Sequence, residues 1–221
     1  GHLDKVARII ERLYAQQNGV SGLDAGIPAD DTMSRALFFR NQGPFCEAPK
    51  TENDPACNAL APRPKRVSGM YPPSIQSDPE FCAVLEKRPD ADALFNQFSV
   101  VRHKPGGREK GDPATDELVA VPYHVAYADD MKAASAELRA AAGLLAGDPS
   151  EAAFKAYLEA AAQAFLDDDW FRADVAWKAM TATNSRWYLR VGPDEVYAEP
   201  CSRKANFHMT FALINQESLE W

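Results

Sequence analysis

The chain has 221 residues, 46% of them hydrophobic and 25% charged, a composition that excludes disorder of the whole chain. Asp and Glu number 32 against 24 Lys and Arg, a formal net charge of −8. That balance argues against nucleic acid or an anionic membrane as the main partner, because both require a basic face. No apolar run approaches the roughly 18 residues needed to cross a bilayer, so no membrane span is expected.

Gly1-His2 reads as a remnant of tag cleavage. Residues 3–17 follow as a helix, with Val6, Ile9, Ile10, Leu13 and Tyr14 at helical spacing and Gly19 as the stop. Residues 18–80 carry the breakers SGLDAGIP, PRPKR and MYPPS and are expected to be irregular. A loop of that length in a compact domain needs a pin or a function. Residues 78–88 suggest a short helix with Asp78 as N-cap and Pro79 in first position. NQFSVVRH (96–103) and ELVAVPYH (117–124) are β-rich and are joined by the polar stretch KPGGREKGDPATD.

Helices dominate next. Residues 126–146 are rich in Ala and Leu, and DPSE (148–151) opens another helix with the stripe Phe154, Tyr157, Leu158, Ala161 and Phe165. Asp167, Asp168 and Asp169 suit the start of the next helix, DWFRADVAWKAM, better than a metal site. SRWYLRV (185–191) and NFHMTFALI (206–214) read as strands, with Gly192-Pro193 breaking the first.

The four cysteines, Cys46, Cys57, Cys82 and Cys201, contain no CxxC pair, so a zinc ribbon is not expected. They permit two disulfides in three connectivities. Cys46 and Cys57 flank the loop GPFCEAPKTENDPACNA, which a disulfide would close, leaving Cys82 to pair with Cys201. That reading implies the periplasm or the outside of the cell; four free thiols would instead suit the cytoplasm.

GxSxG, Walker, GxGxxG and HExxH signatures are absent. His103, His124 and His208 form no local metal pair, although His103 and His124 each end an expected strand. The remaining candidate is RVGPDEVYAEP, where Asp194, Glu195, Tyr197 and Glu199 follow a strand end. A carboxylate and a phenol on such a loop can hold a cationic amine and a carbonyl oxygen, the two groups a peptide N-terminus presents. A solvated acidic turn is the simpler structural account of the same residues.

At Gly192-Pro193-Asp194-Glu195-Val196-Tyr197, with Lys204-Ala205-Asn206-Phe207 and FALIN after it, the sequence resembles the dipeptidyl peptidase III family of zinc peptidases. GMYPPSIQSDPEFCAVL and LVAVPYHVAYADDMKAASAELRAAA are similar to upstream family segments, so the resemblance spans roughly residues 68–215. It implies an α+β lobe, mainly helical with a small antiparallel, barrel-like β core, forming one side of a two-lobed cleft. The domains expected are 1–67, a helix plus a disulfide-pinned irregular segment, and 68–221, the lobe itself. By the same resemblance Glu195 grips the free amine of a short peptide, Tyr197 contacts a carbonyl, and Asp194 belongs to that substrate site. The HExxGH zinc motif of the family is not in this sequence, so zinc is expected in a missing C-terminal half, the partner of this lobe. The sequence departs from the family pattern at Asp194, at His208 (an imidazole where an acid is common) and in the Cys46–Cys57 loop. The expectation is the substrate-cleft lobe of a zinc exopeptidase, with an exported, non-catalytic peptide-binding homologue as the alternative.

Overall fold

A computed structural model of the protein describes residues 1–52 and 54–220, the last two by backbone alone. Helix α1 (His2–Gln17) buries Val6, Ile9, Ile10 and Leu13 along one stripe. Helix α2 (Thr32–Asn41) lies inside the stretch expected to be irregular. It buries none of its residues, so there was no apolar period to read. Its local signal is Asp31, whose Oδ1 accepts the N–H of Ser34 at 2.9 Å and caps the helix.

Helix α3 (Phe81–Glu86) starts later than expected, because Asp78 closes a turn by accepting the N–H of Glu80 at 2.8 Å. The short helix α4 (Ala91–Leu94) leads into strands β1 (Ser99–His103) and β2 (Leu118–Pro122), which pair antiparallel with Val100 opposite Val121. Successive residues of a strand face opposite ways. Val100 therefore enters the larger core, while Val101 enters a second cluster with Met70, Tyr71, Ile75, Phe81, Leu85 and Leu94. This ladder divides the two cores.

The chain turns at Pro122 into helix α5 (Tyr123–Ala126), so His124 is helical and does not end a strand. Helices α6 (Ala128–Gly143), α7 (Ala152–Asp167) and α8 (Trp170–Ala179) follow. α6 packs between α1 and α7, and α8 packs on α7. All five residues of the expected α7 stripe are buried. Asp167 closes α7, Asp168 takes a left-handed conformation (φ 58°) after it, and Asp169 pairs with Arg172 at 2.8 Å ahead of α8. The three aspartates thus serve as helix-end groups.

Strands β3 (Trp187–Glu195) and β4 (Asn206–Leu213) form the second antiparallel ladder. Among the described residues the four strands make two separate two-stranded sheets, so the α+β architecture holds without a barrel. Phe207 anchors β4 in the core, with Tyr123 at 5.4 Å and Phe165 at 5.8 Å between ring centroids.

Lys204 is fully buried just before β4. Its Nζ donates to the carbonyl oxygens of Leu94 (2.5 Å) and Asn96 (3.1 Å) and to Ser99 Oγ (3.0 Å). Burial brings its ammonium down to about 8, against the opposing pull of Glu199. Between that value and the unfolded value of about 10.4 the unfolded chain binds more protons, so this group makes stability rise with pH. Measured by denaturant unfolding, wild type is expected to gain on a Lys204→Met variant as pH climbs from about 8 toward 10. A difference that stays flat or shrinks contradicts that assignment.

Candidate functional site

Strand β3 does not stop at Val191. It runs through Gly192 and Pro193 to Glu195, with Gly192 opposite His208 and Pro193 opposite Phe207. Pro193 is tolerated because a two-stranded ladder leaves one edge unpaired. The register shifts between Pro193 and Glu195, which leaves Asp194 in a bulge. Gly192 is needed twice over: its φ is +142°, and a Cβ there would meet Trp170 Cζ3 at 2.6 Å. Tyr157 fixes the strand from beneath, since its hydroxyl accepts the N–H of Val191 at 2.9 Å.

The bulge sends neighbouring carboxylates in different directions. Asp194 Oδ2 accepts from Arg190 Nε at 2.8 Å, and its Oδ1 lies against His208 Nδ1. Arg190 also reaches Asp174 at 2.6 Å and sits 5.1 Å over the Trp177 ring. Burial works against the Asp194 charge, but the contacts with His208 and Arg190 prevail and hold its carboxyl below the ordinary range. Asp194 is therefore taken up by Arg190 and His208. Glu195 is exposed and has no ion pair among the described residues. Tyr197, two residues on, is 78% exposed.

The loop that carries Tyr197 is held from inside. Buried Glu199 accepts the N–H groups of Cys201 (3.1 Å), Arg203 (2.7 Å) and Lys204 (3.2 Å). The loop is then tied to α3 by Cys82–Cys201, with 5.4 Å between Cα atoms, and by the ion pair of Arg203 with Glu86. Beyond the loop, Ala205 donates to Gln97 O at 3.0 Å, and the buried Gln17 accepts the N–H of Phe207 at 2.7 Å. Sequence reading did not find Glu199, Lys204 or Gln17 as the frame, because burial of a polar residue leaves no periodic mark.

Tyr197 borders a cavity of about 700 Å³ whose other walls include Tyr14, Phe45, Glu47 and Arg66. Cys46 and Cys57 are joined, with Cα atoms 5.7 Å apart, and close the loop that supplies this wall. A smaller cavity of about 250 Å³ is lined by Phe98, Trp170 and Asp194.

The three histidines weighed as ligands, His103, His124 and His208, lie against different carboxylates. His124 Nδ1 meets Asp168 at 2.8 Å, His208 meets Asp194, and His103 sits 3.0 Å from Ser74 Oγ with Glu109 at 3.4 Å. Among the described residues no group of three His, Cys, Asp or Glu side chains could hold a metal ion. The donors present do not fit a catalytic zinc, which takes three converging ligands.

A mainly helical α+β lobe that ends a strand in an exposed carboxylate and phenol is the class this fold defines. No family model matches the chain. Its fold matches one lobe of dipeptidyl peptidase III. The enzyme from Caldithrix abyssi superposes with a TM-score of 0.72 at 25% identity, over 98% of this chain and 39% of that one. The enzyme from Corallococcus sp. strain EGB gives 0.66 at 22% identity, over 99% and 39%. Nudix hydrolase 3 of Arabidopsis thaliana is 28% identical over 119 residues, which is 54% of this chain and 14% of that protein. The chain thus spans about two fifths of the solved structures it matches and a smaller share of the curated relative.

Proposed function

We propose that this chain is the substrate-gripping lobe of an exopeptidase that acts on the free N-terminus of short peptides. The observation that carries this reading is the pairing of an exposed Glu195 carboxylate, without an ion-pair partner among the described residues, with an exposed Tyr197 phenol, both on a frame held by Glu199 and Cys82–Cys201. Glu195 binds the peptide ammonium, and Tyr197 donates to a carbonyl oxygen near the bond to be cut. Asp194, locked to Arg190 and His208, sets the bulge that turns Glu195 outward.

The water-activating zinc of the reaction belongs to a second lobe, which closes the cleft and supplies the metal ligands. A partner lobe is supported by the 39% coverage of the solved dipeptidyl peptidase III chains. It is supported too by apolar side chains left open on α8 and the outer end of the β3–β4 ladder, with Phe171 74% and Leu213 64% exposed. The two disulfides support a location in an oxidising compartment, the periplasm or outside the cell.

The test is the affinity of tri-alanine, measured by calorimetry, for wild type and for Glu195→Gln. Loss of a charge-assisted contact worth about 1.5–3 kcal/mol weakens binding at least about tenfold in the variant. Equal affinities would leave Glu195 as a solvated turn residue and remove the reading.

A further inference from the structure

The Cys46–Cys57 loop lies outside the segments that resemble the family in sequence, and it borders the same cavity as the residue assigned to the peptide carbonyl. α2 is capped by Gln42, in the left-handed region (φ 51°), and Gly43 donates to Phe38 O at 3.0 Å. The turn brings Phe45 back against Asn58 in an isolated bridge, and Ala59 donates to Pro44 O at 2.7 Å. Asn41 Nδ2 donates to Phe45 O at 2.8 Å, and the Arg66 guanidinium lies 4.4 Å over the Phe45 ring. Arg66 then pairs with Glu47 at 2.7 Å. The disulfide, the bridge and the stacked arginine together hold Glu47 and Phe45 in the lining of the cavity that Tyr197 also borders.

Tyr14 of α1 also lines the cavity, close enough to Glu47 and Tyr197 to feel both. Asn18 Nδ2 donates to the Tyr14 backbone carbonyl at 2.9 Å, and among the described residues no hydrogen bond engages the Tyr14 hydroxyl. Burial pushes its phenol up, and Glu47 and Tyr197 add to the effect, so it stays protonated and able to donate at neutral pH. The cavity, at about 700 Å³, falls in the range of roughly 300–1,000 Å³ found for ligand sites. Two phenols on one cavity offer two donors, and an extended peptide presents successive carbonyl oxygens as acceptors.

We infer that the disulfide-closed loop and Tyr14 form a second peptide subsite beside Tyr197, which takes the main chain of residues beyond the terminal pair, with Tyr14 donating to a peptide carbonyl. The inference rests on the reading of Glu195 and Tyr197 as the grip on the terminal residues. The Glu47–Arg66 pair is half exposed, so it contributes little to stability and stays available to the ligand. The site makes the protein select for peptide length: a dipeptide fills only the grip, and a longer peptide fills both.

Dialanine and tetra-alanine titrated by calorimetry into the full chain separate the two ideas. Wild type binds tetra-alanine more tightly than dialanine. Tyr14→Phe weakens tetra-alanine about fivefold and leaves dialanine unchanged, the equivalent of one hydrogen bond near 1 kcal/mol. A Cys46→Ser, Cys57→Ser double variant, which frees the wall without touching α1, lowers tetra-alanine affinity in the same selective way. Should Tyr14→Phe and the double variant both bind the two peptides like wild type, while Glu195→Gln loses both, the subsite is overturned and the grip stands. Should Glu195→Gln lose neither peptide, the grip falls and the subsite falls with it.

Discussion

Gly192→Ala lowers the unfolding free energy by about 2–6 kcal/mol. The backbone at Gly192 has φ +142°, a region that costs a residue with a Cβ about 1–3 kcal/mol. The new methyl also meets Trp170 at 2.6 Å and 2.9 Å, against a ring that is itself buried and packed on Phe165 at 5.0 Å between centroids. Overpacking of that kind adds about 1–3 kcal/mol. For a chain of this size the sum corresponds to a fall in melting temperature of about 10 °C. Calorimetry or circular-dichroism melting measures it directly. A melting point within a degree of wild type would mean that the strand does not pass Trp170 as described.

Opening the Cys82–Cys201 bond by a double serine substitution costs a comparable amount. The bond spans 119 residues, for which the chain-entropy account gives about 5 kcal/mol. Its place gives the loss a functional direction, since it ties the Tyr197 loop to α3 next to the exposed Arg203–Glu86 pair. Cys46–Cys57 spans only 11 residues and contributes about 3 kcal/mol on the same account. The 82–201 variant is therefore expected to unfold at a distinctly lower denaturant concentration than the 46–57 variant. The reverse order would show that native-state strain or residual structure in the unfolded chain outweighs loop length.

The helical part of the fold was readable wherever burial is periodic. α1 and α7 show their stripes because Val6, Leu13, Tyr157 and Phe165 all enter one core. α2 was unreadable for the converse reason: a helix that buries none of its residues has no apolar face to mark it, and only the Asp31 cap gave it away. The pair Gly192-Pro193 looked like a break because both residues usually end strands. Here Gly192 makes room for Trp170 and Pro193 lies in a ladder with a free edge, so the strand carries on. Glu195 and Tyr197 could be singled out from residue type and spacing. The role of Asp194 could not, because it depends on Arg190, Asp174 and His208 arriving from two strands and a helix. The same holds for Lys204 and Glu199, whose charges look like surface in one dimension and turn out to be the internal frame of the site.

The central claim is that this lobe holds a free peptide amine. Calorimetric titration of tri-alanine and of N-acetyl-tri-alanine into the wild-type chain at neutral pH tests it most directly. Acetylation removes the positive charge that Glu195 would bind and leaves the carbonyls that Tyr197 would meet. The account predicts at least about tenfold tighter binding of the free peptide, with the difference shrinking as salt is raised. Equal affinity for the two peptides, or preference for the acetylated one, would contradict it.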